Sequence, residues 1–270
     1  MGLKTKLAAA AATLTLVGGV GAAGALTAGT ASAATPSCGP SCIDLFSKNF
    51  GTFHNPQFLL DVYQQKQAVG QKIILFRESN SDPAEDFTVS DQGPVSTFYA
   101  AGLVSASLAL HYGCNGTIPV QGVQIPCSPA ATDDFAFEDE YSPFGVDSGL
   151  CVGVAATAVS GEGVTLQPCG VSSKTVWVVD TIDSCPFNPL YSFEAPVING
   201  SDTNFSQPFV ATYPATGYPT DSSRPQLTVA NVTGFSQDGN PVPGPQTCGT
   251  GSVNGPDNNQ LWAADAGIQP

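Results

Sequence analysis

The sequence predicts an all-β fold in which one four-strand unit occurs three times and closes into a barrel with pseudo-threefold symmetry. Short runs of β-branched and aromatic residues alternate with Gly, Pro and Ser, which is typical of tightly paired antiparallel strands. Apolar segments also recur in the same order, so that the spacing from Leu60 to Phe87 equals the spacing from Leu150 to Trp177. One such unit cannot bury its apolar face alone, and closure of three units removes exposed sheet edges.

Residues 1–33 have the features of a secretory leader. Lys4 and Lys6 precede a short apolar segment, and small residues at 31–33 form a cleavage pattern. The apolar segment is too short and too rich in Gly and Ala for a stable membrane anchor, so export and release are expected. The predicted organisation is a signal peptide over 1–33, an N-terminal lead over 34–45, and one domain over 46–270 with copies at about 46–140, 141–212 and 213–270.

Composition restricts the partners of the chain. Its 270 residues carry a formal net charge of −14 at pH 7, which disfavours binding to nucleic acid and to anionic membrane surfaces. No segment after the leader is long and apolar enough to span a bilayer. We therefore expect a monomer in the extracellular space, without a nucleic-acid or membrane partner.

All eight cysteines follow the leader, and an even number in an exported chain indicates disulfides. The predicted bridges are Cys114–Cys127, which closes a loop, and Cys151–Cys169, which joins two neighbouring strands. Three pairings remain open for the other four, which are Cys38, Cys42, Cys185 and Cys248. A zinc site at Cys38 and Cys42 is the alternative, but no second closely spaced pair accompanies them. We predict neither a metal nor another cofactor.

The strands predicted in chain order are 58–63, 73–76, 87–89, 150–154, 164–166, 176–179, 227–229 and 261–262. Segments 88–140 and 180–212 are longer than the repeated unit needs, so they are predicted to be long surface loops or an added hairpin, most clearly at 114–127. Because Pro and Gly are spread evenly, no helix of useful length is predicted. The acidic residues within 133–140 are interpreted as solvated.

These motifs resemble those of the ricin B-type β-trefoil lectins. That family repeats a leucine-cysteine-valine-aspartate-valine strand, a glycine-led hairpin ending in cysteine, and a glutamine-x-tryptophan strand. The second copy matches it at Leu150-Cys151-Val152, Gly163-Val164-Thr165-Leu166, Cys169 and Trp177, the third ends Asn258-Asn259-Gln260-Leu261-Trp262, and the first has Leu60-Asp61-Val62 with Phe87 at the tryptophan. The resemblance covers the chain from about Phe46 and implies a β-trefoil that binds carbohydrate.

The resemblance also implies where a sugar would bind. In such lectins an aspartate and an amide bind vicinal hydroxyls while an aromatic ring covers the apolar face of the sugar. The first copy keeps Asp61 and Phe76 but has Glu85 in place of glutamine. The second has Gly153, Gln167 and Thr175 at the site positions. The third keeps Asn259 and Gln260, with Thr228 at the aspartate position, although Gln260 and Trp262 also fit a role in the scaffold. The first copy is therefore the best candidate site.

Catalysis is not predicted. His54 and His111 are the two histidines, and neither belongs to a recognisable nucleophile or metalloprotease motif. A glycoside hydrolase using Asp134 and Glu138 is a weaker hypothesis, because carboxylates clustered in sequence are usually solvated. Alternating oxygen ligands within 78–86 leave calcium open, although Pro83 occupies the place of the glycine in an EF-hand loop.

The predicted function is thus non-catalytic carbohydrate binding, with glycans or cell-wall polysaccharide as partners. Partial loss of all three sugar sites leaves an alternative, in which a secreted inhibitor or interaction module binds protein through its long loops.

Overall fold

The structure of the chain is a computed structural model that describes residues 42–47, 51–52, 55–56, 58–77, 79, 82–128, 133–179, 194–214, 224–232 and 259–265. All of these belong to the compact unit Ser32–Pro270, and they form mainly β-strands with two short helices. The elements in chain order are β1 (Asp44–Ser47), β2 (Gly51–Thr52), β3 (Asn55–Pro56), β4 (Phe58–Val62), β5 (Ile73–Arg77), β6 (Phe87–Pro94), α1 (Val95–Ala100), α2 (Ala106–Tyr112), β7 (Thr117–Val120), β8 (Val123–Pro126), β9 (Phe135–Tyr141), β10 (Leu150–Val154), β11 (Val164–Pro168), β12 (Trp177–Val179), β13 (Glu194–Ala195), β14 (Val197–Asn199), β15 (Phe209–Thr212), β16 (Thr228–Asn231) and β17 (Trp262–Asp265).

One set of antiparallel pairings recurs three times. Each unit contains a hairpin, and these are β4 with β5, β10 with β11, and β15 with β16. The strand before each hairpin joins it through one pair of residues: Phe46 with Leu59, Glu140 with Cys151, and Ile198 with Val210. The last strand of each unit pairs with the first strand of another in a shared register: Phe87 with Tyr141, Trp177 with Asn199, and Trp262 with Ser47. The pairings therefore define equivalent positions in the three units, and they match Leu60 with Val152 rather than with Leu150, so the equal spacing seen in the sequence is not a register match.

The aromatic residue that begins the last strand of each unit lies in a common core. Phe87, Trp177 and Trp262 are all buried and belong to one hydrophobic cluster. The indole N–H of Trp177 donates to the carbonyl of Val152 at 2.9 Å, and that of Trp262 donates to the equivalent carbonyl of Ala211 at 2.8 Å. Buried indoles need such a partner. The three aromatics at the tryptophan position of the motif therefore meet in one core.

The third unit differs in detail from the sequence prediction. Thr228 was placed at the aspartate position on the first hairpin strand, but it lies on the second strand, opposite Thr212. The equivalent of Asp61 in this unit is therefore Thr212. Strand β15 was not predicted. It is buried at three of its four positions, and its sequence therefore shows little alternation of apolar and polar residues.

The acidic residues of β9 are buried, which corrects the prediction that they are solvated. Glu138, Asp139 and Glu140 expose 2%, 0% and 8% of their surface. Glu138 accepts hydrogen bonds from the N–H of Gly170 at 3.0 Å and from the hydroxyl of Thr175, and Glu140 accepts one from the N–H of Gly149 at 2.6 Å. Burial raises the pKa of Glu140. Glu138 and Glu140 thereby hold neighbouring turns, so these two acidic residues have a structural role.

The long insertion between β6 and β9 is packed rather than loose. It contains α1, α2 and the predicted added hairpin, β7 with β8. Its helices form a second hydrophobic cluster with Val178, Ile198 and Val210, which lie on strands of the large sheet. The helices were missed because each has only six or seven residues, which is too short to give a clear 3.6-residue period.

Both predicted disulfides are present, Cys114–Cys127 in the insertion and Cys151–Cys169 across β10 and β11. Cys42 is also disulfide-bonded. The pairing of Cys38, Cys185 and Cys248 lies outside the described residues, as do the predicted signal peptide and lead up to residue 41.

Candidate functional site

The candidate site is a pocket of about 270 Å³ beside the first hairpin, which we call the Asp61 pocket. It is lined by Asp61, Gln64, Gln65, Phe76, Asp82, Ala84 and Arg224. Two of the three residues predicted for the first copy therefore converge on one cavity. Its volume is close to the lower end of the range of about 300–1,000 Å³ that is typical of small-molecule sites.

The alternation of the hairpin places Asp61 and Phe76 on the same face. Leu60 of β4 and Leu75 of β5 point into the core cluster, so their neighbours point to the opposite face. Asp61 pairs with Ile74, one diagonal step from Phe76. Diagonal side chains on one face of a hairpin lie within reach of each other. A carboxylate and an aromatic ring are thereby presented side by side.

Two turns complete the walls of the pocket. Gln64 and Gln65 have φ angles of 61° and 55°, a left-handed conformation that is uncommon for residues other than glycine. The second turn is the 3-10 helix Pro83–Glu85, capped by Asp82, whose carboxylate accepts the N–H of Ala84 at 3.0 Å. The side-chain amide of Gln65 donates to the same carboxylate at 2.7 Å and joins the two turns.

The carboxyl group of Asp61 has an unusually high pKa. Only 4% of the residue is exposed, and burial raises its pKa to about 7, assisted by the charge of Asp82 and opposed by that of Arg224. No hydrogen bond from the described residues reaches its carboxylate. A buried acceptor of this kind, at the wall of a pocket, is free to bind the hydroxyl groups of a ligand.

Arg224 covers the aromatic surface of the pocket. Its guanidinium carbon lies 4.2 Å from the centroid of the Phe76 ring, which is a cation–π geometry. Arg224 is exposed and comes from the segment before β16, so a residue of the third unit reaches the site of the first. No sequence motif predicted this, because the contact joins residues far apart in the chain.

The other predicted site residues have structural contacts. Glu85 is 5% exposed, does not line the Asp61 pocket, and accepts the N–H of Ser79 at 2.9 Å. The Asn259 amide donates to the carbonyl of Tyr213 at 2.9 Å. Gln260 is 2% exposed, and its amide donates to the carbonyl of Asn231 at 2.9 Å. The structure therefore favours the scaffold role of Gln260, which the sequence also allowed.

The second and third units have no pocket-forming carboxylate at the position of Asp61. In the second unit this position is Gly153, where an added Cβ would lie 2.6 Å from the carbonyl oxygen of Lys174. In the third it is Thr212, whose hydroxyl lies 3.2 Å from the amide nitrogen of Gln260. Backbone and side chains of the protein thus occupy the space that a ligand would use.

The carboxylates considered for hydrolysis and for calcium are engaged in the fold. Asp134 and Glu138 expose 3% and 2% of their surface. Of the predicted calcium loop 78–86, the described part includes Asp82, which caps a 3-10 turn, and Asp86, which accepts the N–H of Phe144 at 2.6 Å. Among the described residues, no group of three or more His, Cys, Asp or Glu side chains is arranged to hold a metal ion.

Comparisons with known proteins give similarity of fold only. No family model and no curated protein matches the chain. Solved structures similar to it include a designed threefold-symmetric protein, ThreeFoil, at 10% identity and a TM-score of 0.44, covering 83% of this chain and 97% of that one. The cytolethal distending toxin of Haemophilus ducreyi has 11% identity and a TM-score of 0.37, covering 83% and 82%. The SDF2-like protein from Arabidopsis thaliana has 8% identity and a TM-score of 0.36, covering 83% and 91%.

The similar solved structures are β-trefoil proteins, the fold that the sequence resemblance implies. Because the TM-scores are low, these likenesses carry no argument about a ligand, and the interpretation of the fold depends on the strand pairings of this chain. None of the helices in the described part of the chain has the length and apolar character needed to cross a membrane.

Proposed function

We propose that the chain is a secreted, non-catalytic β-trefoil that binds carbohydrate through the Asp61 pocket. The observation that carries this proposal is the convergence of a buried carboxylate and an aromatic ring on one open cavity. Ionised Asp61 would accept hydrogen bonds from vicinal hydroxyls, and Gln64 and Gln65 would supply amide donors and acceptors. The ring of Phe76 would cover the apolar face of the sugar.

The proposal includes closure of a barrel by six strands, in which β13 and β14, separated only by Pro196, count as one strand. The pairings of β6 with β9, β9 with β12, β12 with β14, β13 with β17, and β17 with β1 support it. An isolated bridge between Cys42 and Thr88 connects the segment just before β1 to β6. In this arrangement the three copies begin near 44, 135 and 194, rather than near 46, 141 and 213.

The proposals that the protein is secreted and that its ligand is neutral rest on the leader pattern, the disulfides and the net charge of the chain. The leader pattern and the disulfides Cys114–Cys127 and Cys151–Cys169 support an oxidising, extracellular location. A net charge of −14 opposes acidic polysaccharides. Neutral glycans, including cell-wall polysaccharide, are therefore the proposed partners of a monomeric protein.

The two alternatives have less support. Hydrolysis by Asp134 and Glu138 would need carboxylates open to a substrate, but both are buried. Protein binding through the insertion would use the exposed hairpin of β7 and β8, because α1 and α2 are engaged in the second hydrophobic cluster. Shortening this hairpin between Cys114 and Cys127 and measuring capture of partner proteins distinguishes this alternative from carbohydrate binding.

The direct test of the proposal is Asp61→Asn, measured by calorimetric titration with glucose, galactose, mannose and N-acetylglucosamine. We expect a monosaccharide affinity about 10–100-fold below wild type, since a hydrogen bond to a charged group contributes about 1.5–3 kcal/mol. Because the pKa of Asp61 is about 7, wild-type affinity should rise between about pH 5 and about pH 9 as the carboxylate ionises, and the variant should lose this dependence.

Asp91→Asn is the matched control, because Asp91 is exposed and does not line the pocket. The free energy of unfolding shows whether a variant has lost binding because it has lost the site or because it has unfolded. The folded-state pKa of Asp61 is raised, so wild-type stability falls as pH increases from about 4 towards 7, by up to about 4 kcal/mol. Asp61→Asn should therefore be at least as stable as wild type at pH 7. If none of the four sugars binds at millimolar concentration, or if Asp61→Asn binds like wild type, the proposal is wrong.

At about pH 9, where Asp61 is ionised with or without the charge of Arg224, Arg224→Ala should increase affinity for a neutral monosaccharide about two- to fivefold. The side chain covers the ring on which a sugar would stack, and an exposed cation–π contact contributes only about 0.5–1 kcal/mol that the ligand must replace. Lys174→Ala, which removes one positive charge elsewhere, should leave the affinity unchanged. A decrease in affinity on Arg224→Ala would instead show that the guanidinium contacts the ligand.

A further inference from the structure

A second depression adjoins the Asp61 pocket and shares Gln65 with it. It has a volume of about 380 Å³, and its walls include Gln65, Pro83, Tyr141, Pro143, Phe144 and Val146. We call it the Phe144 depression. Burial raises the pKa of Tyr141 to about 12, so its hydroxyl stays neutral. None of the lining side chains carries a charge at neutral pH.

Phe144 is held in an exposed and unfavourable position. Its side chain is 69% exposed, and the neighbouring Val146 is 65% exposed. Its φ of 56° lies in the left-handed region, which costs a residue other than glycine of order 1–3 kcal/mol. The carboxylate of Asp86 fixes this conformation by accepting the Phe144 N–H at 2.6 Å. An exposed ring on a strained backbone that a buried acid secures is typical of a binding surface rather than of packing.

The two cavities are neighbours. Gln65 lines both of them, and the 3-10 turn Pro83–Glu85 presents Pro83 to the Phe144 depression and Ala84 to the Asp61 pocket. Among the described residues, five other than glycine have a positive φ, and three of these line the two cavities: Gln64, Gln65 and Phe144. Backbone strain is therefore concentrated around these two neighbouring cavities.

We infer that the Phe144 depression is a second-ring subsite, so that the protein binds a neutral oligosaccharide across both cavities. This inference rests on the proposed function of the Asp61 pocket. Phe144 provides an aromatic face for the apolar side of the second pyranose ring, and the side-chain amides of Gln65 and Gln67 supply hydrogen bonds to its hydroxyls. The uncharged lining matches a neutral sugar, and its position next to the Asp61 pocket, with Gln65 in both walls, matches the next unit of the same glycan chain.

The test compares each monosaccharide with its oligomers in the wild type and in Phe144→Gly. Titrations use glucose with cellobiose and cellotriose, N-acetylglucosamine with its β-1,4 dimer and trimer, galactose with lactose, and mannose with mannobiose. In the wild type we expect one oligosaccharide to bind at least about tenfold more tightly than its monosaccharide, since an aromatic stacking contact contributes of order 1 kcal/mol and hydrogen bonds add to it. Phe144→Gly should remove this gain and leave the monosaccharide affinity unchanged.

Glycine is chosen because it adopts a positive φ without strain, so the variant should be as stable as wild type or more stable while it loses oligosaccharide affinity. Phe144→Trp should retain the gain, and Val171→Ala, which shortens another exposed apolar residue, should leave it intact. An unchanged oligomer-to-monomer ratio in Phe144→Gly would overturn the subsite while the proposed function stood. A dimer in sedimentation that Phe144→Gly dissolves would overturn it in favour of self-association. Absence of any Asp61-dependent sugar binding would overturn both.

Discussion

Asp139→Leu is expected to raise the free energy of unfolding at neutral pH by about 1–3 kcal/mol, which is the usual cost of a buried polar group without a hydrogen bond. Asp139 is fully buried in the core. Among the described residues, no donor reaches either oxygen of its carboxyl group. The residues at the equivalent positions of the other two units are Leu45 and Val197, and all three line one small central cavity of about 30 Å³. Leucine would therefore restore an apolar layer that the other units already have.

The pH dependence of stability checks the same claim independently. Burial raises the pKa of Asp139 well above its ordinary value. Above about pH 4 the unfolded chain releases this proton while the folded chain retains it, so wild-type stability decreases as pH rises, by up to about 1.4 kcal/mol per pH unit. Asp139→Leu should remove this contribution. The measurement is urea unfolding followed by circular dichroism at several pH values.

Asp91→Leu is the control for this substitution, because it removes an exposed carboxylate. It should leave the pH dependence of the free energy of unfolding unchanged. The reciprocal change, Val197→Asp, should destabilise the protein by a comparable amount. A loss of stability in Asp139→Leu would mean that the carboxyl group of Asp139 makes a favourable contact, and the apolar layer would then be the wrong description.

Trp177→Ala is expected to destabilise the protein by about 3–5 kcal/mol, whereas Trp177→Phe should cost only about 1–2 kcal/mol. The side chain is 3% exposed in the central core. Truncation to alanine leaves a large cavity. Phenylalanine keeps most of the ring contacts and loses mainly the indole hydrogen bond to Val152. The first unit already has Phe87 at this position, so the fold tolerates that residue.

Urea unfolding of the two variants measures the difference, with Phe135→Ala, at a 40% exposed aromatic on β9, as the control. The control should lose less stability than Trp177→Ala because a partly exposed ring buries less apolar surface. If Trp177→Phe cost as much as Trp177→Ala, Phe87 and Trp177 would not occupy equivalent positions. That result would contradict the threefold description of the core.

Much of the architecture could be predicted from local patterns. Strands with clear β-branched runs and Gly boundaries, such as Leu150–Val154, were predicted within a residue or two. The strand β9 was missed because three consecutive acidic residues indicate a solvated loop, whereas two of them, Glu138 and Glu140, accept backbone hydrogen bonds here. Those donors, at Gly149 and Gly170, become neighbours only through the fold. The two helices of the insertion depend on packing against the sheet, which no short sequence window contains.

The candidate site was predictable only in part. Asp61 and Phe76 follow from hairpin alternation and from the resemblance to lectins. Glu85 does not line the pocket, and its place at the glutamine position of the motif does not reveal that its carboxylate accepts the N–H of Ser79. Gln65, Asp82 and Arg224 were missed. A turn with two positive φ angles and a contact from another unit depend on three-dimensional structure that one copy of a motif does not encode.

The most direct measurement is a residue-resolved NMR titration of isotopically labelled protein with the sugar that binds most tightly in calorimetry. We expect the backbone amides of Gln64, Gln65, Phe76 and Ala84 to shift in a saturable manner, with those of the equivalent hairpins β10–β11 and β15–β16 unchanged. Shifts confined to β7 and β8, or no saturable shift at millimolar sugar, would contradict carbohydrate binding at the Asp61 pocket.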